Sequence, residues 1–296
     1  EKKIPEYTLP DPLITEDGKP VTTAKQWNTV RRPELVKLFQ QYVYGRGPAA
    51  GEISHRVVSP HESALGGKAV RREVDVFFGK TPDAHSMRLL IYTPKSKQPA
   101  ATFLALNFNG NHTINADPAI SISDRWVRDR GDETTKGNRA TEQGRGSAAS
   151  RWPVEKIIDR GYALVTIYYG DIDPDFDDGF KNGVHGAFAE ETKDIQPNEK
   201  WGSVAGWAYG LSRALDYLEQ DEKIDGARVA VFGHSRLGKA SLWAGARDSR
   251  FKMVISNNSG SGGAALYRRC YGERIHHMLK PVGYWFSRNH AGFAQR

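Results

Sequence analysis

From Val70 the chain alternates, with Val70, Val74, Val76 and Phe78 interleaved with charged residues. The turn-forming run Gly79-Lys80-Thr81-Pro82-Asp83 follows, and Met87 to Tyr92 is apolar again. A period of two is that of a half-buried strand, so the two stretches predict an antiparallel hairpin. The pattern then changes to short continuous apolar runs: Thr102 to Phe108, Ala163 to Tyr169, Val229 to Phe232 and Met253 to Ser256. Strands covered on both faces have this composition, which predicts a parallel sheet. Between the last three runs lie helical stretches. Val204 to Leu218 carries Val204, Trp207, Ala208, Leu211, Leu215 and Leu218 on one face, and Leu237 to Ala246 is the second. Strand, crossover helix and strand in repetition predict an α/β sandwich of three layers.

Residues 1–50 are rich in proline and charge and are expected to form an N-terminal arm with one helix, Arg32 to Tyr44. Pro33 suits its first turn, and Gly45 and Gly47 stop it. Residues 111–150 are polar and aperiodic, with Gly131, Gly137, Gly144 and Gly146, and read as a long surface loop or insertion. No internal repeat or second core is evident, so residues 1–296 are expected to form a single domain.

Composition agrees: 39% hydrophobic and 26% charged over 296 residues is ordinary for a globular protein with one large core. No stretch approaches the roughly 18 uninterrupted apolar residues of a membrane span, and the run Glu1-Lys2-Lys3-Ile4-Pro5 offers no apolar segment that could act as a secretory signal, while a signal already removed would leave no trace. The one cysteine, Cys270, cannot form a disulfide within the chain and leaves the compartment open. A formal net charge of +7 favours weak attraction to polyanions. The basic residues are scattered in pairs such as Arg31-Arg32, Arg71-Arg72 and Arg268-Arg269, without the interleaved aromatics of a nucleic-acid surface.

The strongest chemical signal is the run Val229-Ala230-Val231-Phe232, followed at once by Gly233-His234-Ser235-Arg236-Leu237-Gly238 and a helix. A serine hydroxyl is a poor nucleophile at neutral pH and needs exposure, a base and donors for the oxyanion that forms. A sharp strand-to-helix turn lifts the serine above the sheet and leaves the next N–H at a helix N-terminus. The usual turn has a small residue two places after the serine, whereas here Leu237 stands there and Gly238 one place later. A buried structural serine is the competing reading. The same run fits most of a phosphate-binding loop, Gly233, four residues, Gly238 and Lys239. That reading fails at Ala240, where a magnesium-holding Ser or Thr is needed, and at Asn257 and Asn258, where an acidic metal partner is needed.

Gly233-His-Ser-Arg-Leu-Gly-Lys239, Asn258-Ser-Gly-Ser-Gly-Gly-Ala-Ala265 and Tyr271-Gly272-Glu273 resemble the glucuronoyl esterases, family 15 of the carbohydrate esterases, particularly their bacterial members. The likeness extends upstream through Asn107-Phe-Asn-Gly-Asn-His-Thr113, Ser150-Arg-Trp-Pro153 and Tyr168-Tyr-Gly-Asp171. The resemblance implies an α/β-hydrolase fold and cleavage of the ester between a lignin alcohol and a 4-O-methyl-glucuronic acid branch on xylan. It implies Ser235 as nucleophile, Arg236 as oxyanion stabiliser through its N–H and guanidinium, and Lys239 and Glu273 as partners of the sugar hydroxyls. Solvated surface charges are the plain alternative for Lys239 and Glu273. It further implies a secreted or periplasmic enzyme acting as a monomer on glucuronoxylan or a lignin–carbohydrate ester, with no cofactor, metal, nucleic acid or membrane partner.

Fungal members carry the triad acid as a glutamate where this chain has Asn258, and an amide cannot stabilise an imidazolium as a carboxylate does. The family histidine lies further along than the residues that follow Ser235. The general base and triad acid are therefore expected beyond Arg296, with the chain lacking its C-terminal portion. Of the local histidines, His276 and His277 fall in an expected helix and read as structural or surface residues. His234 is turned away by the bend, and His112 follows a strand and is placed to line the site.

Asp171-Ile-Asp-Pro-Asp-Phe-Asp-Asp178-Gly179 alternates acidic residues but fits no frame of a calcium-binding helical loop, and it reads as a solvated turn. No zinc-binding pattern is present. Trp152, Trp201 and Trp207 read as core or rim aromatics. The chain is thus expected to be a serine esterase of uronate esters. A catalytically silent carbohydrate-binding relative and a nucleotide hydrolase are the alternatives.

Overall fold

The structure is a computed structural model that describes residues 4–81 and 83–294. Glu1 to Lys3 of the arm and Pro82 of the predicted turn lie outside the described residues. The described residues form nine strands: β1 (Ser54–Ala64), β2 (Ala69–Phe77), β3 (Ser86–Pro94), β4 (Ala100–Asn107), the two-residue β5 (Thr135–Lys136) and β6 (Arg139–Ala140), β7 (Ala163–Tyr168), β8 (Ile224–His234) and β9 (Met253–Asn257). The α-helical segments are α1 (Ala24–Gln26), α2 (Arg32–Phe39), α3 (Val154–Ile158), α4 (Tyr169–Ile172), α5 (Gly183–Ala187), α6 (Ser203–Leu218), α7 (Arg236–Arg247) and α8 (Ile275–Val282).

Seven strands form one sheet in the order β1-β2-β3-β7-β4-β8-β9. The predicted hairpin is β2 and β3, antiparallel with Ala69 opposite Pro94 and Phe77 opposite Ser86. The apolar runs form the parallel half, β7, β4, β8 and β9. The two halves join where β3 lies antiparallel to β7.

Side chains of period two feed a core on each face. In β3, Leu89 and Ile91 enter the core beneath α6 and α7, while Leu90 and Tyr92 enter the opposite one with Ile114, Ile120, Val154 and Ile158. The apolar face of α6 is buried on the first core, as its spacing predicts, and the Trp207 indole N–H donates to the Asp173 carbonyl at 2.8 Å. Trp201 and Trp207 are core residues, and Trp152 packs against the second core. No helix among the described residues is long and apolar enough to cross a membrane.

Four expectations are corrected. The arm's helix begins after Thr23, eight residues earlier than Pro33 indicates, because Thr23 and Gln26 form a reciprocal capping box. The run continues to Tyr44 with wide turns at Trp27–Arg31 and Gln40–Tyr44. In the first of these the Arg32 N–H bonds to the Trp27 carbonyl, just before Pro33 removes a donor from the ladder. Strand β9 is not covered on both faces: α7 packs on one, and Met253 (57% exposed) and Ile255 (39%) show on the other. Residues 111–150 are more than a surface loop, since Ile114, Ile120 and Val127 are buried. The acidic run is solvated only in its second half, at Asp177 to Gly179, because Asp171, Asp173 and Asp175 are buried.

Candidate active site

The bend between β8 and α7 holds Ser235 at φ 55°, ψ −130°, a positive φ that is strained for any residue bearing a Cβ. Two backbone bonds hold the strain in place. The Ser235 N–H donates to the Asn257 carbonyl of β9 at 3.0 Å, and the Lys239 N–H donates to the Ser235 carbonyl at 3.1 Å. The close return of helix to strand explains both glycines. A Cβ on Gly233 would lie 2.2 Å from the Leu237 carbonyl oxygen, and one on Gly238 would lie 3.0 Å from that of Gly233. The small residue usually found two places after the serine is therefore displaced by one, and Leu237 turns into the core.

Ser235 is half-buried, with its hydroxyl hydrogen-bonded to no side chain among the described residues. It is not sealed in a core, as the structural-serine reading requires. The phosphate-loop reading also falls, because α7 is already helical from Arg236 and Ala240 follows Lys239 where a magnesium-holding hydroxyl is needed; one Lys239 N–H donates to the Ser259 carbonyl at 2.6 Å. The N–H groups of the first turn of α7 have no acceptor one turn back, and that of Arg236 follows the serine directly.

The Arg236 guanidinium lies among three aromatic faces, 4.8 Å from the Phe108 centroid and 5.5 Å from those of Tyr169 and Trp285. Its Nε is 2.9 Å from a carboxylate oxygen of Asp175, which is 1% exposed. Lys239, one turn along α7, is buried with its ammonium 5.8 Å from the Trp285 centroid. Burial lowers its pKa, and the nearby Glu273 charge opposes the shift. Glu273 and Lys239 both approach Gly260, whose φ is +60°: a Cβ there would be 3.2 Å from Glu273 Oε2 and 3.8 Å from Lys239 Nζ. The four residues chosen from sequence thus gather about the start of α7. Lys239 is not the solvated surface charge of the plain reading, although Glu273 is exposed.

Among the described residues no histidine hydrogen-bonds the serine hydroxyl. His234 is exposed and meets the Asn257 amide at 3.1 Å, and His276 and His277 lie on the outer side of α8. His112 does not line an open site, because its ring is fully buried against Gly110 and Gly144. Asp175, Tyr284 and Trp285 were not anticipated. Their roles depend on packing across more than 100 residues of chain, and no local pattern carries that information.

Similarity to known proteins follows the same geometry. A family model described as glucuronyl esterase, fungi, matches residues 180–296. A solved structure of a promiscuous CE15 esterase from a marine bacterial metagenome superposes with a TM-score of 0.91 at 47% identity, covering 100% of this chain and 74% of that one. The chain belongs to the glucuronoyl esterases of carbohydrate esterase family 15. Within the family, the glucuronoyl esterase from Solibacter usitatus has a TM-score of 0.91 at 45% identity, with 100% and 75% of the two chains covered. Carbohydrate esterase MZ0003, from an unknown prokaryotic organism, is 48% identical over 97% of this chain and 66% of its own length. A 4-O-methyl-glucuronoyl methylesterase from Schizophyllum commune is 27% identical over 97% of this chain and 60% of its own. The chain spans about two thirds or less of the length of these curated relatives. Family membership carries the expected α/β-hydrolase fold.

Proposed function

We propose that this chain carries the ester-cleaving site of a carboxylic ester hydrolase acting on esters of (4-O-methyl-)glucuronic acid, such as those that link lignin to xylan. The observation that carries the reading is the strained, half-buried Ser235 at the head of α7, with a cation on each of Arg236 and Lys239 beside it. In the proposed reaction the Ser235 oxygen attacks the uronate carbonyl while a general base takes its proton. The charge that develops on the carbonyl oxygen is met by the Arg236 N–H and guanidinium. The ester bond breaks, the departing alcohol receives the proton, and water then releases the acid from the serine. Lys239 and Glu273 offer a donor and an acceptor to sugar hydroxyls. A polymeric plant-wall substrate places the enzyme in the periplasm or outside the cell.

The test is hydrolysis of benzyl glucuronate by the purified protein that carries this chain together with its general base. Turnover is expected, and Ser235→Ala should reduce it roughly a thousandfold or more with the fold intact. Equal rates for the two would end the reading. One observation favours a second possibility: no described residue hydrogen-bonds the serine hydroxyl as a base, which suits a carbohydrate-binding relative without turnover. Titration calorimetry that detects glucuronate binding in a chain without hydrolysis would support it.

A further inference from the structure

Asp175 is the residue around which the oxyanion side of the site is built. Its carboxylate is 1% exposed, and one oxygen accepts from the Tyr284 hydroxyl at 2.8 Å and the Trp285 indole N–H at 2.7 Å. The other accepts from the Tyr169 hydroxyl at 3.0 Å and lies 2.9 Å from Arg236 Nε. A buried carboxylate is tolerated only when its lone pairs are met and a cation balances its charge. Asp175 has three neutral donors, the Arg236 guanidinium at 2.9 Å and, farther out, that of Arg128 at 3.7 Å. The donors are Tyr169, close by in the chain, and the distant Tyr284 and Trp285, and Tyr169 and Trp285 also present their rings to the Arg236 guanidinium. Arg128 adds an outer contact, donating to the Asp175 carbonyl at 2.8 Å. An arginine side chain has many rotamers, and a cation that must face a charge forming only in the transition state gains from being fixed beforehand.

We propose that Asp175 is the positioning residue for Arg236, holding its guanidinium in the orientation that meets the oxyanion at Ser235. This rests on the esterase reading above. Asp175→Asn is nearly isosteric. Its oxygen can still accept from Tyr284 and Trp285 and its NH2 group can donate to the Tyr169 hydroxyl, but that group also faces Arg236, where the attraction becomes a clash of donors.

On benzyl glucuronate, Asp175→Asn is expected to lower kcat about 10- to 100-fold with KM within about twofold, because the lost contact serves the transition state rather than the sugar. In an Arg236→Ala background the same change should lower kcat no further, since the residue it positions is gone. Unchanged kcat, a rise in KM at unchanged kcat, or full additivity in the double variant overturns the proposal. If Asp175→Asn fails to fold, Tyr284→Phe removes one donor and keeps the charge. It is expected to lower kcat about threefold at unchanged KM, and no change overturns the idea. If the wild-type protein, general base included, hydrolyses no uronate ester, the functional reading fails and the clamp is judged by crystallography alone. The guanidinium should leave its place between Phe108 and Trp285 in Asp175→Asn, and a guanidinium that stays there rejects the clamp.

Discussion

Ser235, the proposed nucleophile, sits in a strained backbone. A serine at φ 55° costs on the order of 1–3 kcal/mol, a cost carried by the two backbone bonds that hold the bend. Replacement by alanine keeps the Cβ and hence the strain, whereas glycine removes it. Ser235→Gly is accordingly expected to be more stable than Ser235→Ala by about 1 kcal/mol, less than the strain itself because glycine gains freedom in the unfolded chain. Urea denaturation of the two variants measures the difference, and equal midpoints would mean that the bend is unstrained. The bend itself was readable in the sequence, because a continuous apolar run, a glycine and a serine follow one another directly. The surroundings of Arg236 were not, since Asp175 sits in a run whose acidity reads as solvated. It is buried only because Tyr169, Tyr284, Trp285 and Arg236 converge on it from elsewhere.

Among the elements, residues 111–150 and the Asp171 of α4 that Ser123 contacts carry an opposed pair of titrations. His112 is fully buried with both ring nitrogens unpartnered, and burial pushes its pKa down to about 4. Its contribution to stability is present above the ordinary value of 6.5 and is lost as pH falls towards 4. Asp171 accepts from the Ser123 hydroxyl of the same segment at 3.0 Å, and burial pushes its carboxyl up to about 6. The sign is reversed here: the folded form prefers the proton, so stability is present below 3.8 and is lost as pH rises through 6. Each effect is on the order of 3 kcal/mol, and the two nearly cancel between pH 4 and 6.5. Asp171→Asn removes one side of the balance. Amide hydrogen exchange over residues 111–150 should be nearly independent of this pH range in the wild type, after correction for the intrinsic rate, and should accelerate on acidification in the variant. Equal pH dependence in both would rule out the pairing. The buried character of this segment was hard to read because Ile114, Ile120 and Val127 are spaced too widely for either period. β1 was missed for a related reason: as an edge strand with mostly exposed residues, it has no apolar alternation to show.

For the whole molecule, the net charge of +7 acts at longer range than any contact in the site. A polymer bearing free uronates is drawn to such a surface, whereas benzyl glucuronate, with its carboxyl esterified, is uncharged. Raising salt from about 0.05 to 0.5 M shortens screening to a few ångströms and is expected to raise KM on polymeric substrate several-fold, with KM for the small ester within about twofold. Parallel salt responses would show that the net charge has no part in capture. The parallel half of the sheet and its two long helices were legible from apolar runs and a 3.6-residue period, which are local properties. The strand order was not, because pairing β3 with β7 depends on how both faces are covered. One ring reaches across all these levels: Trp285 bonds Asp175 and faces both Arg236 and Lys239. Its indole is therefore a built-in optical reporter, and a uronate entering the site should change the emission of the wild type but not of Trp285→Phe.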